Sequence, residues 1–147
     1  MAASKLSLED LWREYGFKPN ENQRKAILHL DGPLFLTAGP GSGKTRVLLW
    51  RTVNLVVFHG VPPNQIFLST FTEKAALQLK EGLRAYLGHA STIFDRAFDT
   101  SNMYVGTVHS LCQRLISERT LSPGRARARP PILMDEIGQY IDRKSVV

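Results

Sequence analysis

The sequence is poor in cysteine and in long apolar runs. Cys112 is the single cysteine of the 147 residues, which excludes an intrachain disulfide and a zinc site built from several cysteines. We expect this residue to be a small buried apolar group. The longest apolar stretch, from Val47 to Val61, is interrupted by Arg51 and Asn54 and cannot span a bilayer. The first residues carry charges before any apolar core, unlike a secretory signal. We therefore expect a cytoplasmic protein with no membrane partner.

Apolar residues are nevertheless numerous enough for a folded core. They make up 43% of the chain, which is too many for a disordered protein. The length suits one modest domain or part of a larger one. The formal net charge is +6 and the sequence pI is about 9.8. This charge favours a polyanionic partner such as nucleic acid.

The most informative segment is the octet AGPGSGKT at residues 38–45. It follows the apolar run Leu34–Thr37, which predicts a core strand, and precedes a helix predicted from about Lys44 to Phe58. Glycines permit positive φ, so that successive N–H groups can point at phosphate oxygens, and the helix dipole favours the same anion. Lys44 would reach the β- and γ-phosphates and the Thr45 hydroxyl would bind Mg²⁺, as catalytic groups. The predicted phosphate-binding residues are Ala38, Gly39, Pro40, Gly41, Ser42, Gly43, Lys44 and Thr45.

The rest of the chain alternates between helical and strand patterns. Ser7 and Asn20 are good N-caps for two helices that precede the octet. Strands alternating with helices predict an α/β fold with a parallel sheet covered on both faces. The elements predicted after the cradle helix are a buried strand at 66–70, a helix at 72–87 stopped by Gly88, a strand at 103–105, a helix at 108–120, a basic loop at 122–131, a small strand at 132–134 and a last helix at 136–143.

Three segments around the octet narrow the class of nucleotide enzyme. They are NENQ at residues 20–23, TFTEKAA at 70–76 and GTVHSLC at 106–112. Together with the octet, they resemble the N-terminal part of superfamily-one DNA helicases of the UvrD/PcrA/Rep type. The resemblance is dense over residues 17–120 and weaker to about 143. It implies a phosphate-loop NTPase fold of the RecA-like kind, with ATP and Mg²⁺ as cofactors.

The family resemblance assigns an ATP-binding role to residues 38–46, including Arg46, and to Gln23. An amide suits adenine because it can accept from the N6 amino group and donate to N7. Gln23 is also the third residue of its predicted helix, where it could simply close a capping box with Asn20. Both roles stay open at this point. Pro40 stands where the family has a second small residue, and it removes no required donor.

The same resemblance assigns two segments to single-stranded DNA. Residues 70–76 and 106–112 each follow a predicted strand, at the edge where parallel sheets place their ligands. Hydroxyls and cations there can contact phosphates, and an exposed aromatic ring can stack on a base. Val108 replaces the usual aromatic residue of the second segment, which puts stacking there in doubt. The predicted DNA-binding residues are Thr70, Phe71, Thr72, Lys74, Thr107 and His109.

Asp135 and Glu136 imitate the Mg²⁺-binding and catalytic acids of such ATPases. In the family that pair lies further along the chain, after an inserted helical subdomain. Residues 131–139 instead resemble the segment that opens the insertion, and two prolines before three apolar residues make a poor central strand. We therefore expect the catalytic acids to lie outside this chain. The implied division is a partial first RecA-like motor domain at 1–120, and a basic loop with the start of the inserted subdomain at 121–147.

In a full-length parent, the resemblance implies ATP-driven 3′ to 5′ translocation on single-stranded DNA and unwinding of duplex DNA. The partners would be DNA, ATP and a second motor domain. Phosphoryl transfer needs a positioned water and cationic stabilisation as well as a phosphate cradle. We therefore expect the isolated chain to bind nucleotide, to hydrolyse ATP feebly and not to unwind DNA.

Two classes of alternative remain from the residues themselves: another phosphate-loop enzyme, either a ring ATPase or a small-molecule kinase, and a non-enzymatic binding module. A ring ATPase would need an apolar strand that ends in two acids, for which residues 93–96 (IFDR) are the nearest match. A small-molecule kinase could use Arg125, Arg127 and Arg129 as a lid. A non-enzymatic module that binds nucleotide or DNA would need only the cradle and the basic surface.

Overall fold

The computed structural model describes residues 6–117. Its helices and strands are α1 (Leu8–Glu14), α2 (Glu21–Leu28), α3 (Lys44–Val53), β1 (Phe67–Thr70), α4 (Glu73–Phe94), β2 (Tyr104–Thr107) and α5 (Val108–Ser117). A π-helical segment, Asn54–Phe58, continues α3, and a short 3₁₀ turn, Pro63–Gln65, precedes β1. The two strands pair in parallel, with Thr70 opposite Thr107. The α/β class is therefore confirmed, with a two-stranded sheet in the described part of the chain.

Local hydrogen bonds start the first two helices where the sequence predicts them. Ser7 accepts from the backbone N–H of Asp10, and the Asp10 carboxylate accepts from the N–H of Ser7 in return. Asn20 and Gln23 form the same reciprocal capping box at the start of α2. Each box satisfies two backbone donors that a helix N-terminus otherwise leaves unpaired.

The C-terminal end of α2 is fixed by side chains of the helix that follows the glycine octet. The Arg51 guanidinium donates to the carbonyl of Ala26 at 2.7 Å, and the buried Asn54 amide donates to that of Ile27 at 3.2 Å. Burial lowers the pKa of Arg51 from its ordinary value. These bonds satisfy two terminal carbonyls of α2 and hold Gln23, on the same helix, at a set distance from the octet.

An aromatic cluster joins α3 to α1 and α4. Trp50 is 1% exposed, and its ring stacks on Phe17 at 5.6 Å and on Tyr86 at 4.7 Å between centroids. Tyr15 meets the same indole edge-on at 5.5 Å. The Tyr15 hydroxyl donates to the carbonyl of Ala85. Burial raises the pKa of Tyr15 above its ordinary value. The cluster anchors the helix that carries the phosphate-loop lysine.

The strand predicted over Leu34–Thr37 is wrong for the described part of the chain. Residues 33–39 have no regular secondary structure and pair with no strand among residues 6–117, and Phe35 is 91% exposed. A strand needs a hydrogen-bonded neighbour as well as apolar residues. The described sheet offers none, because β1 and β2 pair only with each other.

Three smaller predictions also need correction. Gly88 does not stop α4, because Leu87 and Ala90 continue its buried stripe; the helix ends at Phe94 and is capped by Asp95, a residue with φ of 47°. Strand β1, predicted as a buried strand at 66–70, is half-buried, and Leu68 is the buried residue within Phe67–Thr70. Cys112 is exposed, since the buried position of α5 is the preceding residue, Leu111.

The structure also excludes the acidic strand considered for a ring ATPase. Ile93 and Phe94 lie at the end of α4, so they form no strand that could carry an acidic pair. The helix predicted at 108–120 is confirmed through Ser117. The basic loop, residues 132–134, Asp135, Glu136, the last predicted helix and the three candidate lid arginines lie outside the described residues.

No helix in the described range 6–117 is long and apolar enough to cross a bilayer. The same residues contain no cluster of three or more His, Cys, Asp or Glu side chains suited to a metal ion.

Candidate nucleotide site and nucleic-acid edge

The glycine octet forms a loop that leads into α3. Gly41 and Gly43 have φ values of 74° and 81°, in the left-handed region that glycine adopts without strain. Ser42 closes the turn by donating its hydroxyl and its N–H to the carbonyl of Gly39. Gly43 occupies the N-cap position of α3 and provides no side chain to cap the helix. The end of the helix is thus left open to an external acceptor.

Backbone donors gather at this open helix end. Within residues 6–117, the N–H groups of Gly43, Lys44 and Thr45 donate to no acceptor. Unpaired N–H groups and the positive end of the helix dipole together form an anion site. The geometry therefore fits the phosphate role predicted from the sequence.

Lys44 folds back on its own loop. Its ammonium donates to the carbonyls of Ala38 and Gly39 at 2.8 and 2.6 Å, and its side chain lines an apolar cavity with Leu34 and Leu36. A phosphate would have to replace these carbonyls as the acceptor of the ammonium protons. Because a charged oxygen is the stronger acceptor, that exchange is favourable.

Gln23 contacts the loop as well as capping α2. Its Oε1 accepts from the N–H of Asn20 at 3.0 Å, and its Nε2 donates to the carbonyl of Ser42 at 3.0 Å. A Cβ atom on Gly43 would lie 3.3 Å from the same Nε2. The capping role is thus present in the structure, and the capping box points the amide at the glycine loop.

A wide cleft of about 650 Å³ lies beside the loop. Arg46 extends along it, with its guanidinium 5.7 Å from the centroid of the Phe17 ring. The Thr45 side chain, exposed and next to the open helix end, lines the same cleft. The described residues that line the cleft are Gly16, Phe17, Lys18, Gln23, Gly41, Ser42, Gly43, Thr45 and Arg46.

Sequence reasoning did not identify Phe17 and Lys18 as part of this cleft. Both precede the α2 N-cap and match no nucleotide-binding pattern. Their position follows from the turn after α1, where Phe17 bonds back to Trp12 through its N–H and packs on Trp50. Only the folded aromatic cluster places them at the cleft.

The predicted DNA-binding residues lie at the carboxyl edge of the two strands. Thr70 ends β1, and Phe71 follows it with 94% of its surface exposed. Thr72 caps α4, since its hydroxyl accepts from the N–H of Ala75 at 3.2 Å. Lys74 is exposed in the first turn of the same helix. This edge therefore combines an exposed ring, a cation and hydroxyl groups.

Thr107 differs from the others because its side chain is buried. It is 7% exposed, and its hydroxyl accepts from the N–H of Ser110 at 3.2 Å, as an N-cap of α5 does. The same hydroxyl lies 3.0 Å from Glu73 Oε1, on α4. His109 is exposed in the first turn of α5. The Thr107 hydroxyl is therefore already hydrogen-bonded within the protein. What Thr107 contributes to this edge is its backbone.

Comparison with known proteins gives the relatives of the chain. Residues 19–139 match the family described as the UvrD/REP helicase N-terminal domain. The chain is 37% identical over 111 residues, 75% of its length, to the ATP-dependent DNA helicase SRS2 of Saccharomyces cerevisiae. It is 39% identical over 97 residues, 66% of its length, to the ATP-dependent DNA helicase PcrA of Bacillus subtilis.

A third relative is the ATP-dependent DNA helicase UvrD1 of Mycobacterium tuberculosis, 38% identical over 97 residues, 66% of the chain. The matches cover 9% of the SRS2 protein, 12% of PcrA and 11% of UvrD1. The chain thus corresponds to about a tenth of each relative. The family match covers most of the chain and includes the glycine loop, Gln23 and both strand ends, and so the chain belongs to the UvrD/REP helicase N-terminal domain family.

Proposed function

We propose that this chain binds MgATP at the glycine loop and is the nucleotide-binding part of an ATP-dependent DNA helicase. The observation that carries the proposal is the open N-terminus of α3, where Gly43, Lys44 and Thr45 present N–H groups without an acceptor in the described part of the chain. A triphosphate supplies the acceptors that these groups need. Thr45 would hold Mg²⁺ against the phosphates, and the cation would neutralise their charge.

Adenine recognition is assigned to Gln23 and Arg46. Both line the cleft next to the loop, within reach of the base of a nucleotide whose phosphates sit on the α3 end. The Gln23 amide offers an acceptor for N6 and a donor for N7 once its bond to the Ser42 carbonyl is exchanged. The guanidinium of Arg46 can stack on the base.

The cleft supports binding of ATP more strongly than its hydrolysis. The lining residues of the cleft in the described range include no Asp or Glu, so no carboxylate there can orient a water or complete a Mg²⁺ site. Phosphoryl transfer depends on such groups and on cationic stabilisation of the transition state. We infer that the isolated chain turns over ATP feebly, and that efficient hydrolysis, translocation and unwinding belong to a longer protein.

DNA is the proposed polyanionic partner. The three relatives described above carry the name of ATP-dependent DNA helicase, and this chain has a net charge of +6. The exposed Phe71 ring and Lys74 suit single-stranded nucleic acid, since a ring stacks on any base and a cation contacts phosphate. In the longer protein, the expected motion is 3′ to 5′ along one strand.

A nucleotide titration tests the ATP site. We expect the full 147-residue chain to bind MgATP more tightly than MgGTP, because Gln23 matches the polar edge of adenine. Gln23→Ala removes the oxygen that would accept from the N6 amino group, a donor that guanine lacks at that position. The preference for ATP should then fall about ten-fold, the effect of about 1.4 kcal/mol from one unmade hydrogen bond. Comparing the two nucleotides cancels the effect of the lost α2 cap, which acts on both equally.

Calorimetric titration of both proteins gives the two affinities, and thermal unfolding verifies the fold. An unchanged ATP-to-GTP ratio in Gln23→Ala would contradict the assignment of the base site. Failure of the unmodified chain to bind either nucleotide would contradict the function itself.

A salt titration tests the DNA edge. Binding of a fluorescent single-stranded oligonucleotide should weaken steeply as salt rises, because each phosphate contact releases counterions. Lys74→Ala should lower the slope of log K against log salt by about 0.7, the value of one contact on a single strand. Lys25→Ala is the matched control, since Lys25 pairs with Glu21 on α2, away from this edge. A flat salt dependence in the unmodified chain would count against DNA as the partner.

A further inference from the structure

Glu73 joins the two segments that end the strands. It is the first residue of α4, immediately after the Thr72 cap, and its Oε1 lies 3.0 Å from the Thr107 hydroxyl at the start of α5. The two residues are 34 positions apart in the chain. They meet because the parallel pairing places Thr70 opposite Thr107. Glu73 therefore connects the helix N-termini that follow β1 and β2.

The bond has a defined direction. Ser110 donates its hydroxyl to the Thr107 carbonyl and its N–H to the Thr107 hydroxyl. The proton of the Thr107 hydroxyl is within reach of both Ser110 Oγ and Glu73 Oε1, each at 3.0 Å. A carboxylate is the stronger acceptor, so this proton goes to Glu73. Thr107 is thus bonded on both sides while it stays 7% exposed.

Within residues 6–117, Glu73 has no second side-chain partner that would explain its position. Among the described residues it forms no ion pair, and its charge stands beside Lys74 at an edge suited to a polyanion. A carboxylate there repels phosphate, which costs affinity if it does nothing else. The first turn of a helix does favour an acid, but that preference does not require the contact with Thr107.

We propose that Glu73 is a positioning residue for single-stranded DNA: its bond to Thr107 fixes the spacing between the start of α4 and the start of α5, so that phosphates can contact both at once. The inference rests on the DNA-binding part of the proposed function. The groups that would contact the DNA are the others at this edge, and Glu73 acts on the DNA only through Thr107. This role requires a hydrogen-bond acceptor at position 73 and does not require a negative charge there.

Two substitutions separate positioning from charge. Glu73→Gln keeps an oxygen acceptor for Thr107 and removes the negative charge, so the affinity for a single-stranded oligonucleotide should be equal to or above that of the unmodified chain. Glu73→Ala removes the charge and the acceptor together. Its affinity should fall about three- to ten-fold, the range for a residue that acts on a ligand site through another.

The difference in affinity between the two variants is the discriminating result. Simple repulsion would make both variants bind more tightly, and equal affinities in Glu73→Gln and Glu73→Ala would overturn the inference. Glu81→Ala is the matched control, because Glu81 is an exposed acid of the same helix with no hydrogen bond or ion pair in the described part. It should show only the small gain from lost repulsion.

A double-substitution cycle tests the connection to Thr107. Thr107→Val removes the hydroxyl, while Thr107→Ser keeps it and should restore binding. Thr107→Val combined with Glu73→Ala should lose no more affinity than Thr107→Val alone, because the shared bond is lost once. Additive losses would overturn the inference, as would a change in unfolding temperature without any change in affinity. If the unmodified chain shows no salt-dependent binding, the DNA function fails and the inference with it; if the chain binds but the variants do not differ, only the inference fails.

Discussion

Lys44→Ala is expected to weaken MgATP binding about ten- to a hundred-fold. The lysine would exchange its bonds to the Ala38 and Gly39 carbonyls for phosphate oxygens, and hydrogen bonds to charged groups contribute about 1.5–3 kcal/mol each. Folding should be unaffected, because both carbonyls belong to exposed residues and water can replace the ammonium. Titration calorimetry with MgATP, together with thermal unfolding, measures both effects.

Lys80→Ala provides the control for charge. Lys80 is an exposed lysine of α4 that does not line the nucleotide cleft, so its loss lowers the net charge equally without touching the loop. Its MgATP affinity should stay within about two-fold of the unmodified chain, as expected for a screened surface charge. If Lys44→Ala binds MgATP as tightly as Lys80→Ala, the glycine loop is not the phosphate site.

Trp50→Ala is expected to destabilise the described domain by about 3–5 kcal/mol. The indole is 1% exposed and lies between the rings of Phe17 and Tyr86, so its removal leaves a cavity that aromatic neighbours cannot fill. The loss is a large part of the about 5–15 kcal/mol that holds a typical domain together. Urea unfolding followed by circular dichroism measures it.

Trp50→Phe separates the packing from the polar atom of the indole. Its Nε1 has no hydrogen-bond partner within residues 6–117, so phenylalanine loses volume but no bond. It should cost clearly less than alanine, about 1–2 kcal/mol, by the lower end of the large-to-small range. Equal costs for the two variants would mean that the stacking contributes little to stability.

Trp50→Ala and Lys44→Ala should lower MgATP binding in different ways. Trp50 is buried in the core and does not line the nucleotide cleft. Trp50→Ala should therefore lower MgATP affinity only by lowering the folded fraction. Lys44→Ala should lower it in a protein that is fully folded.

The helix starts could be predicted because their causes are local. Ser7 with Asp10 and Asn20 with Gln23 bond across three residues, so neither depends on distant parts of the chain. The same holds for Thr72 at the start of α4. The phosphate loop is equally local, since Gly41 and Gly43 adopt their conformation within a few residues of Lys44.

Strand pairing could not be predicted in the same way. The run Leu34–Thr37 has the composition of a core strand, yet it pairs with no strand among the described residues. Apolar side chains indicate a preference for burial, but a partner for the backbone must come from elsewhere in the fold. The end of α4 was missed for a related reason, because burial of Ala90 outweighs the weak helix preference of Gly88.

The sequence by itself determined the family, the glycine loop and the helix caps, because each is written in short segments whose residues are neighbours in the chain. Only the tertiary structure decided that the Gln23 amide reaches the Ser42 carbonyl, 19 residues away, and that Glu73 reaches Thr107. Contacts of this kind depend on how α2 packs on α3 and how β1 pairs with β2. No periodicity encodes them, since the energy that forms them comes from packing the whole core around Trp50.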